Sequence, residues 1–281
     1  MNKKAIKLVK KISLNILVVL LLIWCIFPFY WAIISSLKPD SELFEKKPAF
    51  IPRHPTFINY VKVFTERPFY RNIWNSIIVA GTTTLLSLAI GSLAGYAIAR
   101  LKLKGKILIM SLILSVSMFP QISILGSLFI ILRKFGWINT YQGLIVPYLA
   151  LTLPLTTWIL QNFFRELPKE IEESAAIDGC SKLRILWSIV LPISAPGLVA
   201  TGLLAFIFSW NEFLFALTFM QKPDMYTVPV AIAMFSGKTF YEIPWGQIMA
   251  AAVIVTAPLV VLVLVFQNRI IMGLSSGAVK E

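Results

Sequence analysis

The sequence predicts an all-α, polytopic membrane protein of six transmembrane helices carrying one charged helix-turn-helix on its cytoplasmic side. Three observations carry that prediction. Hydrophobic residues fill 58% of the 281 positions and charged ones 14%, with mean hydropathy +0.80, far from the roughly one-quarter charge of a soluble domain. Six segments are apolar over the roughly 20 residues a helix needs to cross the hydrocarbon. Between the fourth and fifth of them lies a charged island of short side chains, Glu173-Ser174-Ala175-Ala176-Ile177-Asp178-Gly179.

The spans are expected at about 12–36, 73–99, 107–132, 143–163, 190–219 and 247–271. Lys3, Lys4, Lys7, Lys10 and Lys11 before an apolar run mimic a signal peptide, but the run from Ile12 to about Leu37 is too long for one. No A-x-A-like site follows it, and it reads as an uncleaved first span. Trp24, Trp31, Trp137 and Tyr141 sit near span ends as interfacial aromatics do. Pro192, Pro196 and Pro258 interrupt the fifth and sixth patterns, and Pro120 and Pro154 fall where they can kink the third and fourth.

Orientation follows from Lys and Arg. The N-terminal tail, the loops after the second and fourth spans and the C-terminus hold fifteen, whereas Arg133, Lys134, Lys222 and Lys238 make four on the other side. Both termini are therefore expected in the cytoplasm. The first external loop carries seven further bases, but also Asp40, Glu42, Glu45, Glu66 and Pro39, Pro48, Pro52 and Pro55, and reads as irregular extramembrane chain. The net charge of +13 is scattered among spans rather than gathered in a stripe, which argues against nucleic acid. Cys25 and Cys180 imply no disulfide framework, and the single His54 has no second soft ligand for a metal. No cluster of catalytic residues points to an enzyme.

Residues 168–191 read as two short helices joined by a turn. Pro168 suits a first helical position, Asp178-Gly179 a stop, and Ser181 the cap of a second helix over Lys182–Leu191. On the first helix Ile171, Ser174, Ala175 and Asp178 share a face by spacing, flanked by Glu170, Glu172 and Glu173, which can meet a partner's Arg or Lys. On the second, Leu183, Leu186, Trp187 and Val190 share one. From the residues alone, a partner surface and a solvated amphipathic loop are both open readings.

With Ile189-Val190-Leu191-Pro192 downstream, this island resembles the EAA loop of ABC importer permeases, with Ser174 where the pattern prefers Ala. Asn75-Ser76, Gly95-Tyr96-Ala97-Ile98-Ala99-Arg100, Trp210-Asn211-Glu212-Phe213 and the stretch from Gly273-Leu274 to Gly277-Ala278-Val279-Lys280 extend the likeness over essentially the whole chain. It is most similar to the permeases of maltose-type carbohydrate importers. The resemblance implies a single transmembrane domain over residues 1–281, in a bacterial or archaeal cytoplasmic membrane. It implies an ATP-driven importer for a disaccharide or oligosaccharide, with the maltose/trehalose class favoured. The implied partners are a second homologous permease, two ATP-binding cassette subunits that hold ATP and Mg, and an extracytoplasmic sugar-binding protein. In that family the island is a coupling helix. Glu173 would then make the polar contact, Ser174 and Ala175 permit close approach, and Asp178 and Gly179 set the turn.

Glu212 is the one acidic residue inside a predicted span, where an unpaired carboxylate is costly. With Trp210 and Asn211 it can line a sugar path, or it can be a structural group pairing within the assembly. Asn75, Ser76, Gln121 and Gln247 are weaker lining candidates. Ser236-Gly237-Lys238-Thr239 ends like a phosphate-binding loop, but Ile232 stands where that motif needs Gly, so ATP chemistry is expected on a partner. Gly91 and Gly95 are expected to serve close helix packing. The alternative of another class is a secondary transporter or channel working without ATP. Against it stand the island, the lack of internal repeats and the lack of a second intramembrane ionisable group.

Overall fold

The computed structural model describes residues 3–236 and 243–275. Among these every regular element is a helix. The elements are α1 (Lys3–Ser36), α2 (Asp40–Leu43), α3 (Ile58–Thr65), α4 (Phe69–Arg100), α5 (Lys106–Val116), α6 (Gln121–Lys134) and α7 (Gln142–Glu166). There follow α8 (Lys169–Ile177), α9 (Lys182–Ile185), a π-helical turn (Leu186–Val190), α10 (Leu191–Ile193), α11 (Ala195–Asn211), α12 (Leu214–Phe219), α13 (Val228–Ala233) and α14 (Trp245–Ser275). Gly237, Lys238, Thr239 and the chain beyond Ser275, which hold part of two sequence motifs, lie outside the described residues.

Among the described residues four helices are each long and apolar enough to cross a membrane, within α1, α4, α7 and α14. The third and fifth predicted spans are bent pairs. α5 and α6 meet at 83°, and the stretch Lys182–Ile193 meets α11 at 84°, so six crossings result if each pair counts as one. Both bends have a proline cause. Pro120 has no amide to donate and pushes Phe119 out of helical geometry, so α6 starts afresh after it. Pro196 occupies the first turn of α11 after the break at Ser194. The fifth segment then breaks again after Asn211, which leaves α11 only 17 residues, about 25 Å long. Pro147 and Pro154 within α7, and Pro258 within α14, leave their helices continuous.

The chain packs as two compact units, Met1–Arg67 with Met234–Ala257 and Pro68–Ala233 with Pro258–Glu281. In the first, the irregular segment after α1 is held by polar stitching. The Thr56 amide donates to the Leu37 carbonyl (2.8 Å), and Asn59 donates to the carbonyls of Ser36 (3.0 Å) and Lys38 (2.8 Å). The Glu42 carboxylate accepts the amides of Arg53 (2.8 Å) and His54 (3.5 Å). Arg67 donates to Gln247 and to the Ser236 carbonyl, and Gln247 donates to Glu66.

The second unit is built on α4 against α7. A Cβ on Gly91 would stand 2.7 Å from the Thr156 methyl, and one on Gly95 would stand 3.0 Å from the Gln161 backbone nitrogen. The pair therefore brings α4 onto α7 at near-backbone distance, as small-residue seams do in membranes. A buried Ser87–Thr152 hydroxyl pair (2.6 Å) adds a bond across the same seam. One apolar cluster gathers Val79, Leu144, Tyr148, Phe215 and Phe219. Another gathers Tyr96, Leu160, Phe164, Ala175, Leu186 and Val190.

Candidate functional site: the elbow and the break after Asn211

Pro168 makes the elbow a distinct element. It forces Leu167 into an extended conformation (ψ 139°), ending α7, and is itself extended (ψ 131°), standing before α8 rather than as its first residue. α8 ends in a Schellman motif. The Cys180 amide donates to the Ala175 carbonyl (3.0 Å) and the Gly179 amide to the Ala176 carbonyl (3.1 Å), with Gly179 in the left-handed region at φ +82°. The Ser181 hydroxyl then accepts the Arg184 amide (3.4 Å), capping α9 as expected.

The expected second helix over Lys182–Leu191 changes type part-way. After Ile185 the chain widens into the π turn, where the Leu191 amide bonds the Leu186 carbonyl. Pro192 follows without an amide of its own. The wider turn shifts the inward face. Ile185, Leu186 and Val190 are buried, whereas Leu183 and Trp187, expected beside them, are exposed.

The faces of α8 also differ from the spacing argument. Ala175 is buried at 7% exposure among Tyr96, Leu160 and Phe164, so it is not on the open surface with Ser174 and Asp178. Glu172 turns inward with it. Its carboxylate accepts the Arg100 Nε–H (2.6 Å) and the Tyr96 hydroxyl (2.8 Å), while Arg100 also donates to the Leu167 carbonyl (2.8 Å). Glu172 therefore has its Arg within the chain. The exposed surface is made by Lys169, Glu170, Ile171, Glu173, Ser174, Ala176, Ile177, Asp178 and Gly179. Ile177, 86% exposed, is its apolar prominence, and nothing in the i, i+3, i+4 count had singled it out.

The structure does not give Trp210, Asn211 and Glu212 a common environment. Trp210 is buried and stacked on Phe206, with centroids 5.6 Å apart. Asn211 is exposed and its amide donates to the Ile207 carbonyl (2.8 Å). Glu212, 6% exposed, lies in extended backbone (ψ 129°) between α11 and α12. It accepts the Tyr148 hydroxyl (2.5 Å) and the amides of Phe215 (2.8 Å) and Ala216 (3.1 Å). Two of the orphan donors that open α12 are thereby satisfied inside the protein.

Asn75 and Ser76 likewise serve the backbone. Asn75 donates to the carbonyls of Asp224 and Tyr226 and accepts the Tyr141 hydroxyl; Ser76 accepts the Val228 amide. Gln121 lines a cavity of about 320 Å³ with Ser117, Thr152, Thr156, Thr201 and Phe208 among its neighbours.

These features have relatives. A family described as "binding-protein-dependent transport system inner membrane component" matches residues 87–275, a stretch holding the elbow and both bent pairs. The chain belongs to that family. Such a component is the multi-pass permease subunit of an ABC importer, and the all-helical spans described above are its membrane part. The trehalose/maltose transport system permease of Thermococcus litoralis is 47% identical over 98% of both chains. The trehalose transport system permease of Mycobacterium tuberculosis is 41% identical over 92% of this chain and 93% of its own. A crystal structure of a bacterial ABC transporter involved in the import of alginate matches at TM-score 0.81 and 18% identity, covering 95% of this chain and 98% of that one. That last likeness is one of fold.

Proposed function

We propose that the chain is one of two unlike permease subunits of an ATP-driven carbohydrate importer, with an α-linked disaccharide of the trehalose/maltose class as its cargo. The likeness to the Thermococcus and Mycobacterium permeases, end to end at above 40% identity, supports the cargo class and a single transmembrane domain over residues 1–281. The elbow is the observation that carries the mechanism. Its exposed face presents one carboxylate row, a small serine and a protruding Ile177 on a helix whose inner face is fixed. A cleft in a separate ATPase subunit can close on such a face.

In this reading Glu173 meets a cation of the ATPase, Ser174 lets the two backbones approach, and Asp178 and Gly179 hold the turn. Ala175 supports the same surface from beneath. The charge bias supports a cytoplasmic elbow and cytoplasmic termini, on the side where the partner would bind ATP and Mg. Closure of two ATPase copies carries the elbow and turns the cavity outward to receive sugar from an extracytoplasmic binding protein. Asn211 and Gln121 are the polar groups of this chain best placed to face the path, since the oxygens of Glu212 are engaged.

The test is a thiol cross-link from Ser174→Cys to the ATPase in the assembled complex, in a background without Cys25 and Cys180. A cross-link formed with the ATPase and weakened by Glu173→Lys is expected. Its absence from an intact complex refutes the docking, and uptake of trehalose by this chain alone along an ion gradient refutes ATP drive.

A further inference from the structure

α4 is not a chain neighbour of the elbow, since Arg100 and Glu172 stand 72 residues apart. Yet the end of α4 is tied to α8 by two hydrogen bonds, and to the turn before α8 by a third, in a small volume. Arg100 Nε reaches Glu172 at 2.6 Å, its second nitrogen reaches the Leu167 carbonyl at 2.8 Å, and the Tyr96 hydroxyl takes the other Glu172 oxygen at 2.8 Å. The side chains of Arg100 and Glu172 are only 8% and 13% exposed. The planar guanidinium makes this a fork of fixed shape rather than a loose point contact. Tyr96 is itself held edge-on against Phe164 of α7 at 6.2 Å. One helical turn from Glu172, Ala175 closes the apolar cluster beneath.

We infer that Glu172, Arg100 and Tyr96 form a latch that makes α8 and the end of α4 move as one body, so that force on the elbow enters the membrane through α4 as well as through its chain neighbours α7 and α11. This rests on the docking reading of the exposed face. A buried, charged fork is strongly disfavoured when half-made, because either partner left alone is a desolvated charge. The latch is therefore made or broken, with little compliance between. α4 in turn lies at near-backbone distance from α7 along Gly91 and Gly95, and its Cβ-free seam leaves no slack for sliding. Pushing on α8 must displace the α4–α7 pair together. Glu172 is a positioning residue in this scheme, distinct from Glu173 on the docking face.

Spin labels at Leu93→Cys on α4 and Lys169→Cys on α8, in the complete importer with Cys25→Ser and Cys180→Ala, test this by pulsed dipolar distance measurement. The expected result is one narrow distance, unchanged within about 1–2 Å between the nucleotide-free and ATP-trapped states. In Glu172→Ala the distribution is expected to broaden about twofold and to shift on ATP trapping. If that variant does not assemble, Glu172→Gln carries the test, since it keeps the shape and loses the charge, and the same broadening is expected in smaller measure. A wild-type distance that moves by several ångströms on ATP trapping, or variants whose distribution matches wild type, overturns the latch. Failure of the Ser174→Cys cross-link with the distance still narrow strikes the docking reading and leaves the latch standing.

Discussion

Replacing Glu212 separates a structural carboxylate from a sugar-binding one. The residue accepts three hydrogen bonds, from Tyr148 at 2.5 Å and from the Phe215 and Ala216 amides at 2.8 and 3.1 Å. A hydrogen bond to a charged group contributes about 1.5–3 kcal/mol in soluble proteins, while interhelical bonds in lipid average nearer 0.6 and reach about 1.7. Tyr148→Phe removes one such bond and should cost about 1–2 kcal/mol. Glu212→Ala leaves the Tyr148 hydroxyl and two amides of α12 without partners and should cost about 3–5 kcal/mol. Combining them should cost about 1–2 kcal/mol less than the sum, because the shared bond is lost only once. For a chain of this length each kcal/mol moves the unfolding midpoint by about 2–4 °C. The assay is thermal unfolding of the complex in lipid nanodiscs, followed by trehalose uptake per folded complex. Additive losses would refute the bond's contribution. Glu212→Gln that raises the KM for trehalose about tenfold without moving the midpoint would refute the structural role altogether.

The remaining predictions concern three other places. Gly91→Ala sets a methyl 2.7 Å from the Thr156 Cγ2 and should destabilise by about 1–3 kcal/mol, less a fraction regained in helix propensity. Thr156→Ser deletes that carbon, leaving nothing nearer than 3.4 Å, so the double variant should return to near wild-type midpoint; persistence of the full loss would show that the seam clashes elsewhere. Gly179→Ala places a side chain at φ +82° in open space, so its cost of about 1–2 kcal/mol is purely backbone, and Gly179→Asn should lose less, both read as proteolytic cleavage of the elbow. The Arg53 amide, then that of His54 and the nearby cations, hold the Glu42 carboxyl below its ordinary range against the opposing effect of burial. Its contribution is thus complete at neutral pH and lost as pH falls through that lowered value. Exchange protection of the Arg53 and His54 amides, corrected for intrinsic rate, should fall in acid, and Glu42→Gln should abolish that pH dependence.

Much of the elbow was legible because its turn chemistry is local. Asp178-Gly179 demanded a left-handed stop and Ser181 a cap, and both are where one residue's conformational preference decides the matter. The direction of α8 was not legible. Glu170, Glu172 and Glu173 lie about 60–160° apart around one short helix, and it is Arg100 and Tyr96 beneath it that hold Glu172 inward. The bends followed the same divide. Pro120 and Pro196 announced breaks, though not their angles, which packing sets. The break after Asn211 had no signal, since Trp210–Phe213 contains neither Gly nor Pro; it exists because Tyr148, from α7, meets a carboxylate that caps the next helix.

The residues that carry the family resemblance turn out to hold irregular backbone in place. Asn75 and Ser76 bind the chain at 224–228, Arg100 binds Leu167 and Glu172, and Glu212 binds the start of α12. Hydrocarbon supplies no water to satisfy a broken helix, so every interruption within a span requires polar side chains from its neighbours. Asn75, Ser76, Arg100 and Glu212 are committed to that task at the interruptions they bind. Motifs of this kind therefore identify how the spans fold and say little about what passes between them. In the proposed importer, cargo selection then falls to groups not engaged in this way, such as the cavity residue Gln121.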